Sequence, residues 1–274
     1  MVAALHSKAE IFAANRATGR IALRVAASGG RTRRAKVHED GSLRVRFPNA
    51  PAEALEAVIV NTGGGMTGGD RFAVEIALGA GANLIAGTAA AEKIYRSTGP
   101  DAEIAVTLDV GEGARLDWLP QETILFDRAR LSRRIDVELA ADASLLMAEA
   151  VVFGRSAMGE AMLAGFFADR WRVRRAGKLI FADSARLDGA IAEKLAAAAV
   201  AAGGIAIATV LIAPADDAKL SALRALPFAG EVGVSAWNGI TVARLCAKEG
   251  AALRHDLVAL LAALGQRVPR LWLN

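Results

Sequence analysis

The residues of this sequence best suited to chemistry are carboxylates that stand beside glycines or at the ends of apolar, strand-like runs. Carboxylate oxygens bind divalent cations, and a pair of them can act as general acid and base. The histidines, His6, His38 and His255, are far apart, and a single cysteine, Cys246, allows no internal disulfide. We therefore predict neither a tight soft-metal site nor a histidine-based catalytic triad. The candidate carboxylates are Asp70, Glu92, Glu122, Asp127, Glu149 and Glu160.

The densest glycine segment, residues 61–72, reads NTGGGMTGGDRF and formally contains the dinucleotide-binding pattern G-x-G-x-x-G. That fold requires a helix after the glycines, because the helix N-terminus holds the pyrophosphate. Here Phe72 to Leu78 alternates between apolar and other residues, which predicts a strand. We therefore interpret the segment as a tight connection between two strands that does not bind a nucleotide. Asp70, at its end, either pairs with Arg71 or faces an ion path.

These carboxylates must be positioned mainly by β-strands in the first two thirds of the chain. Segments LGAGANL (78–84), VGEGARL (110–116) and LAADASL (139–145) form a loose repeat, spaced by 32 and 29 residues. Such periods indicate stacked strand-turn-strand units, with polar segments recurring at matching places. Period-two alternation predicts strands at Leu43–Phe47, Phe72–Leu78, Ile104–Val110, Ile135–Leu139 and Trp171–Val173.

The last third has a mixed pattern. Helices are predicted at Leu187–Ala202, Ala215–Leu226 and Ala251–Gln266, and strands at Ile205–Ala213, Glu231–Ala236 and Ile240–Ala247, with a hairpin turn at Asn238-Gly239. No proline-rich or low-complexity linker separates the two parts. We therefore predict one continuous body, β-rich over residues 1–186 and mixed α/β over 187–274.

The charge pattern is mildly basic, with a net charge of +4 and a pI near 9.6. Residues Arg31–Lys36 are predicted to form a solvated loop, and Arg170–Arg175 a half-buried strand. Nucleic-acid binding through Arg170–Arg175 stays an alternative. The uncharged run Leu195–Ala213 is interrupted by Gly203-Gly204, which favours a buried helix followed by a buried strand over a membrane span. No signal peptide is evident, so we expect a cytoplasmic location.

Five blocks of the chain together resemble one family. In order they read EAVIVNTGGGMTGGDRF, AAEKIYRS, LPQETILFD, AEAVVFGRSAMGE and WRVRRAGKLIFAD, and they span Glu56 to Asp183. The chain resembles the urease accessory proteins called UreD or UreH. The resemblance implies one UreD-like domain over residues 1–274, with two stacked layers of β-sheet and a few helices mainly in the C-terminal third. It also implies a non-enzymatic scaffold that acts with UreF and the GTPase UreG on the urease apoprotein, and allows a homodimer within that complex.

The resemblance further implies a role in nickel insertion, with Ni²⁺ passing through the chain and no cofactor permanently bound. We predict that Asp70, Glu92, Glu122 and Glu149 line this transient path. A hydrolase that uses Asp70 with Glu92 as an acid–base pair stays the alternative. Ala89 departs from the family, which usually has glutamine at that position. The other positions that match the family blocks are Asn61, Thr62, Gly64, Gly65, Thr67, Gly69, Lys93, Tyr95, Arg96, Gln121, Asp127, Arg155, Gly159 and Glu160.

Overall fold

The structure, a computed structural model, describes residues 15–48, 54–265 and 269–272. The first strands are β1 (Thr18–Ser28), β2 (Arg31–Gly41), β3 (Leu43–Arg46), β4 (Leu55–Asn61), β5 (Arg71–Leu78), β6 (Asn83–Thr88), β7 (Glu92–Ile94), β8 (Ala102–Val110) and β9 (Arg115–Trp118). They are followed by β10 (Thr123–Leu125), β11 (Arg130–Leu139), β12 (Ser144–Arg155), β13 (Glu160–Ala161), β14 (Ala164–Arg175), β15 (Lys178–Ala190), β16 (Ala206–Ala213), β17 (Glu231–Trp237) and β18 (Ile240–Ala247). The α-helices are α1 (Ile191–Ala196), α2 (Asp217–Arg224) and α3 (Gly250–Ala263).

Two large sheets stack face to face, as the fold prediction requires. The outer sheet has the strand order β15-β14-β11-β8-β5-β1-β2. The inner sheet has the order β17-β18-β16-β12-β9-β6-β4-β3, with β7, β10 and β13 attached beside it. One apolar core fills the space between the sheets, and a second core lies between the inner sheet and α3. The predicted β-rich fold with helices mainly near the C-terminus is confirmed.

The loose sequence repeat corresponds to successive solenoid-like coils. Leu78, Val110 and Leu139 are aligned across the parallel strands β5, β8 and β11. Leu84, Leu116 and Leu145 are aligned in the same way across β6, β9 and β12. Each repeat therefore leaves the outer sheet by a tight turn and enters the inner sheet in register with its neighbour. This stacking buries one continuous row of aliphatic side chains, which is why the repeat keeps apolar residues at these positions.

Alternation along β11 determines which of its side chains enter the interior. Leu131, Ile135 and Val137 face the core, and the same parity places Arg133 inside with them. The next residue, Arg134, lies exposed on the outer face of the sheet. One strand thus carries one buried and one exposed arginine in adjacent positions.

Most predicted elements are confirmed, and two segments differ from their predictions. The strand predicted at Trp171–Val173 is longer in the structure (β14), and its apolar residues do face the core. The helix predicted at Leu187–Ala202 is wrong in extent, because β15 pairs with β14 as far as Ala190 and leaves only a short α1. The alanine-rich residues 197–202 form turns, in which the N–H groups of Val200, Ala201 and Ala202 donate to the carbonyl of Ala197.

The second difference concerns Arg31–Lys36, which lies in β2 and not in a loop. This edge strand is exposed on both faces, so it shows no alternation, and its charges protect the sheet edge. The predicted end of the last helix at Gln266 lies outside the described residues. In the described part of the chain, no helix has the length and apolar character that crossing a membrane requires.

Candidate functional site

The most highly charged part of the interior is a cluster of one arginine and two carboxylates between the sheets. Arg133 on β11 donates from Nε and Nη2 to the two oxygens of Asp169 on β14, at 3.0 and 2.6 Å. Its Nη1 donates to Glu149 Oε2 on β12 at 2.5 Å. The side chains of Arg133, Glu149 and Asp169 are 3%, 5% and 10% exposed. The guanidinium therefore bridges the layers, with two bonds to its own sheet and one to the facing sheet.

Two indole groups complete this Arg133 cluster. Trp118 Nε1 donates to Glu149 Oε1 at 2.7 Å, and Trp171 Nε1 donates to Asp169 Oδ2 at 3.1 Å. Burial raises the pKa of Glu149, and the charge of Arg133 offsets part of that rise. Burial alone would lower the pKa of Arg133, but the charges of Asp169 and Glu149 outweigh it and raise that pKa. With both carboxylates ionised, the cluster has one positive and two negative charges.

Two cavities of about 70 Å³ each adjoin the cluster. The first, the Glu92 cavity, is otherwise lined mainly by apolar side chains of both sheets. The second, the Asp183 cavity, reaches the ion pair between Asp183 and Arg244, whose side chains are 26% and 55% exposed. Arg133 and Glu149 line both cavities. The two cavities therefore approach each other at the side chains of Arg133 and Glu149.

Glu92, at the start of β7, is partly buried and lines the first cavity. Its Oε1 accepts a hydrogen bond from Asn61 Nδ2 at 2.9 Å, and Asn61 Oδ1 in turn accepts from the backbone N–H of Gly63. Burial raises the pKa of Glu92 to about 7, and the Asn61 hydrogen bond offsets part of the rise. Near neutral pH this carboxyl group therefore exchanges between protonated and ionised forms, unlike an ordinary surface glutamate.

Strand register explains which predicted carboxylates share this space. Glu92 on β7 is aligned with Thr123 on β10, and the parallel neighbour β12 continues the row. Glu149 lies two residues before the β12 position aligned with Thr123, so it has the same parity as Glu92. Glu122 lies one residue before Thr123 and points the other way, where its Oε2 is 2.5 Å from Arg254 Nη2 on α3. The structure therefore brings Glu92 and Glu149 to one cavity and separates Glu122 from them.

The fourth predicted carboxylate, Asp70, belongs to the glycine loop (residues 62–70) that joins β4 to β5. Its Oδ1 accepts from the backbone N–H of Ala17 and its Oδ2 from that of Thr67, both at 2.8 Å. Pairing with Arg71, one of the two alternatives, is not formed, since Arg71 Nε lies 3.4 Å from Glu103 instead. Asp70 ties the loop to the chain entering β1, and it lines neither of the two cavities.

The hydrolase alternative required Asp70 and Glu92 to act as a pair in one closed pocket. The structure gives the two carboxylates different surroundings, because Asp70 is hydrogen-bonded to backbone N–H groups outside the Glu92 cavity. Asp70 and Glu92 therefore do not form an acid–base pair.

The glycine loop packs against the segment that follows β7. Gly65 has a φ of +149°, and a Cβ there would lie 2.5 Å from the ring of Tyr95. The Tyr95 hydroxyl donates to the carbonyl of Gly64 at 2.9 Å, and the Thr67 hydroxyl donates to the carbonyl of Arg96 at 3.0 Å. The first two family blocks thus form one structural unit, in which a glycine allows the close approach of an aromatic ring.

Side chains from successive blocks continue this unit along one edge of the solenoid. The rings of Tyr95 and Phe126 contact edge to face, with centroids 4.9 Å apart. The guanidinium of Arg155 lies 4.2 Å from the Phe126 centroid and forms an ion pair with Glu160. Gly159, with a φ of +69°, ends the short 3₁₀ turn between them.

The same edge presents apolar side chains to solvent. Asp127 Oδ1 accepts from the backbone N–H groups of Leu163 and Ala164, at 2.8 and 3.2 Å, and so fixes the chain beside β14. Met158, Leu163 and Tyr95 are 74%, 62% and 38% exposed. We call the surface formed by Tyr95, Phe126, Arg155, Met158 and Leu163 the motif edge.

The remaining family positions are mostly held by backbone contacts. The Thr62 hydroxyl donates to the carbonyl of Ser42, and Gln121 Nε2 donates to the carbonyl of Ala89 at 3.1 Å. Because that bond uses a backbone oxygen, the departure from the family at Ala89 leaves it in place. Gly69 has a φ of +89°, and Lys93 is exposed.

In the described part of the chain, no three His, Cys, Asp or Glu residues are grouped so that they could hold a metal ion. His6 lies outside the described residues. Sequence analysis missed Arg133, Asp169 and Trp118. The missed signal was a charge at an inward position, because Arg133 and Asp169 each have the parity of apolar neighbours in their strands.

Comparison of the sequence with known proteins shows the family to which the chain belongs. The family model described as UreD urease accessory protein matches residues 17–273. Urease accessory protein UreD of Rhodopseudomonas palustris strain HaA2 is 58% identical over 267 residues, covering 96% of each chain. Urease accessory protein UreD of Bradyrhizobium diazoefficiens is 57% identical over 266 residues, again covering 96% of each chain. The chain belongs to the UreD family of urease accessory proteins, which confirms the resemblance.

Proposed function

We propose that this chain is a non-enzymatic cytoplasmic scaffold that helps insert nickel into urease, in a complex with UreF and the GTPase UreG on the urease apoprotein. Membership of the UreD family supports the role in urease maturation. In this proposal the chain holds no resident metal, and Ni²⁺ is cargo that passes through it. A homodimer within the accessory complex stays a prediction.

The observation that carries the proposal is the pair of cavities that flank Glu149 between the sheets. They extend from the partly buried Glu92 to the partly exposed Asp183–Arg244 pair. A cation crossing an apolar interior must exchange its hydration shell for polar groups, and carboxylate oxygens provide ligands from which it can leave again. The path that we propose therefore uses Glu92 and Glu149. Asp70 and Glu122 line neither cavity, so the path that we propose leaves them out, and substitutions at both positions test their predicted place on it.

The environment of Glu92 suits the entry of a cation. A carboxyl group with a pKa of about 7 carries a proton part of the time at neutral pH, so it is tolerated in a largely apolar cavity without a cationic partner. An arriving Ni²⁺ ion displaces that proton and stabilises the ionised carboxylate. Glu92 thus exchanges a proton for a metal ion. When the ion leaves, the carboxylate binds a proton again, so no unpaired charge stays buried.

The motif edge supports the proposal that partner proteins dock on this chain. Two of its exposed side chains are held from below, Tyr95 by its ring contact with Phe126 and Leu163 by the hydrogen bond from its backbone N–H to Asp127. Exposed apolar side chains that are grouped in this way are typical of protein-binding surfaces. We assign this edge to a subunit of the accessory complex.

The test compares Glu92→Gln with Glu122→Gln in cells whose own copy of the gene is removed. Co-purification with UreF and UreG measures assembly, and urease activity at limiting nickel measures activation. Glu92→Gln should keep assembly and lower activation several-fold, whereas Glu122→Gln should keep both. Unchanged activation by Glu92→Gln would contradict the path, and a parallel loss of assembly and activation would instead assign Glu92 a structural role.

A further inference from the structure

Arg133 places a buried positive charge on the proposed path, at the point where the two cavities approach each other. Together with Glu149 it lines both cavities, so the path that we propose between them passes this contact. The guanidinium also donates a hydrogen bond to Oε2 of Glu149, while the Trp118 indole donates one to Oε1. With these bonds in place, each oxygen of Glu149 already has a donor, and the positive charge of Arg133 at Oε2 opposes the approach of a metal ion.

The hydrogen bonds of Arg133 are unequal on its two sides. Two parallel N–H groups hold Asp169 on the neighbouring strand of the same sheet, at 3.0 and 2.6 Å. One N–H group holds Glu149 on the facing sheet, and the same Nη1 lies at 3.4 Å from the Thr123 hydroxyl. A bidentate arginine–carboxylate pair is stronger than a single contact. The contact with Glu149 is therefore the one that opens first, with the guanidinium still anchored on Asp169.

We propose that Arg133 is an internal gate that holds Glu149 in the absence of cargo, releases it to a passing divalent cation and then rebinds it. This inference rests on the proposed function, because it requires a cation to move between the two cavities. Asp169 is the positioning residue that retains the guanidinium while Glu149 is free. Arg133 and the cation compete for one carboxylate, since two positive groups held close together in a buried site repel each other strongly.

The gate explains how a buried pair of carboxylates avoids becoming a metal-storage site. Glu149 and Asp169, without Arg133 between them, would present two carboxylates beside the Thr123 hydroxyl, and sites with more negative ligands bind divalent cations more tightly. Rebinding of Arg133 replaces the ion with a covalently attached positive charge. The ion is then expelled into the next cavity, and the chain retains no nickel.

The experiment measures nickel retained by the accessory complex after loading with Ni²⁺ and removal of free metal by gel filtration. Arg133→Gln should retain nickel in stoichiometric amount, where the unmodified chain retains little, and urease activation at limiting nickel should fall. The double variant Arg133→Gln with Asp169→Asn removes one carboxylate charge as well, so retention should return towards that of the unmodified chain. Arg134→Gln, the neighbouring exposed arginine, is the matched control and should change neither quantity.

Arg133→Gln leaves two buried carboxylates without a cation, so it can fail to fold. Arg133→Lys then provides the second measurement, because lysine keeps the charge but contacts only one carboxylate at a time. Its complex should release nickel about tenfold more slowly than the unmodified complex, since one carboxylate is left to the metal. Co-purification with partner proteins shows that each variant is folded.

The outcomes separate the gate from the path. If a folded Arg133→Gln or Arg133→Lys complex retains no more nickel than the unmodified complex, the gate is overturned. If Glu92→Gln nevertheless lowers activation with assembly intact, the path stands without the gate. If Glu92→Gln has no effect and no Arg133 variant retains nickel, the path fails and the gate fails with it.

Discussion

Asp70 in the glycine loop and Glu149 in the Arg133 cluster are buried to nearly the same extent, at 4% and 5% exposed, but their partners differ. Both oxygens of Asp70 accept from backbone N–H groups, which cannot move without unfolding the loop. The oxygens of Glu149 accept from two side chains, a guanidinium and an indole. A side chain can change its rotamer at a small cost, whereas a backbone donor is fixed by the fold.

This difference separates a carboxylate held by the backbone from one held by side chains, and the exchange of partners that we propose for Glu149 requires the second kind. Asp70 lies in a loop with glycines packed against an aromatic ring and lines neither of the two inter-sheet cavities. Glu149 lies where two cavities meet. The comparison teaches that two equally buried carboxylates can have surroundings of different kinds. The mobility of the donor and the space beside it distinguish the two cases.

The largest effect is expected when the positive charge is removed from the cluster. Arg133→Met leaves Glu149 and Asp169 buried without a cation, and the free energy of unfolding should fall by about 3–5 kcal/mol. Arg134→Met, one residue further on the exposed face of the same strand, should change it by about 0.5 kcal/mol or less. Denaturant unfolding of the solubilised chain measures both. Equal effects of the two substitutions would show that the cluster is not held by its charge balance.

A smaller loss is expected at the glycine loop. Asp70→Asn keeps the shape of the side chain but replaces one acceptor oxygen with an NH₂ group, so the N–H of either Ala17 or Thr67 loses its partner. An unsatisfied buried donor costs about 1–3 kcal/mol, which should appear as a lower melting temperature. Any loss of activation should follow the loss of folded protein. Reduced activation with unchanged stability would instead place Asp70 on the ion path.

The sequence is sufficient to predict the coils of this fold, because each coil repeats an apolar pattern and a turn. The family blocks name Glu92 and Glu149 only together with Asp70 and Glu122, and the sequence does not show which of these four carboxylates share a cavity. The helix predicted over Leu187–Ala202 is wrong at both ends, because pairing with β14 keeps residues 187–190 in a strand and residues 197–202 close into turns.

The Arg133 cluster was not predicted, since its members are separated by 16 and 36 residues and meet only when the two sheets stack. The alternation of inward and outward positions within each strand could nevertheless be read from the sequence. Arg133 follows Leu131 and precedes Ile135 at inward positions, and Asp169 stands between Phe167 and Trp171 in the same way. A charge at an inward position needs a buried partner, so each of these residues implied the existence of the other.

The carboxyl group of Glu92 should make stability depend on pH. Its pKa is about 7 in the folded chain and near 4.5 as a model value. Between these values the folded state binds a proton that the unfolded state lacks, so stability present below pH 4.5 is lost as the pH rises towards 7. Glu92→Gln removes this loss, and should be more stable than the unmodified chain by roughly 1 kcal/mol at pH 8, with no advantage at low pH. Melting temperatures of both proteins across this range test the sign, and a constant difference at all pH values would contradict it.

The smallest effect is expected at Glu122, which has the opposite parity to Glu92 and pairs with Arg254 on α3. The two side chains are 25% and 26% exposed, and Arg254 Nη2 also donates to Gln121 Oε1 at 3.2 Å. Because Arg254 keeps that second acceptor, Glu122→Gln should lower the free energy of unfolding by about 1 kcal/mol or less, and the loss should shrink at high salt. Urease activation should remain unchanged, since this carboxylate lies outside the Glu92 cavity. Activation lost at full assembly would mean that the ion follows the α3 side of the inner sheet, and the assignment of the path by strand parity would then be wrong.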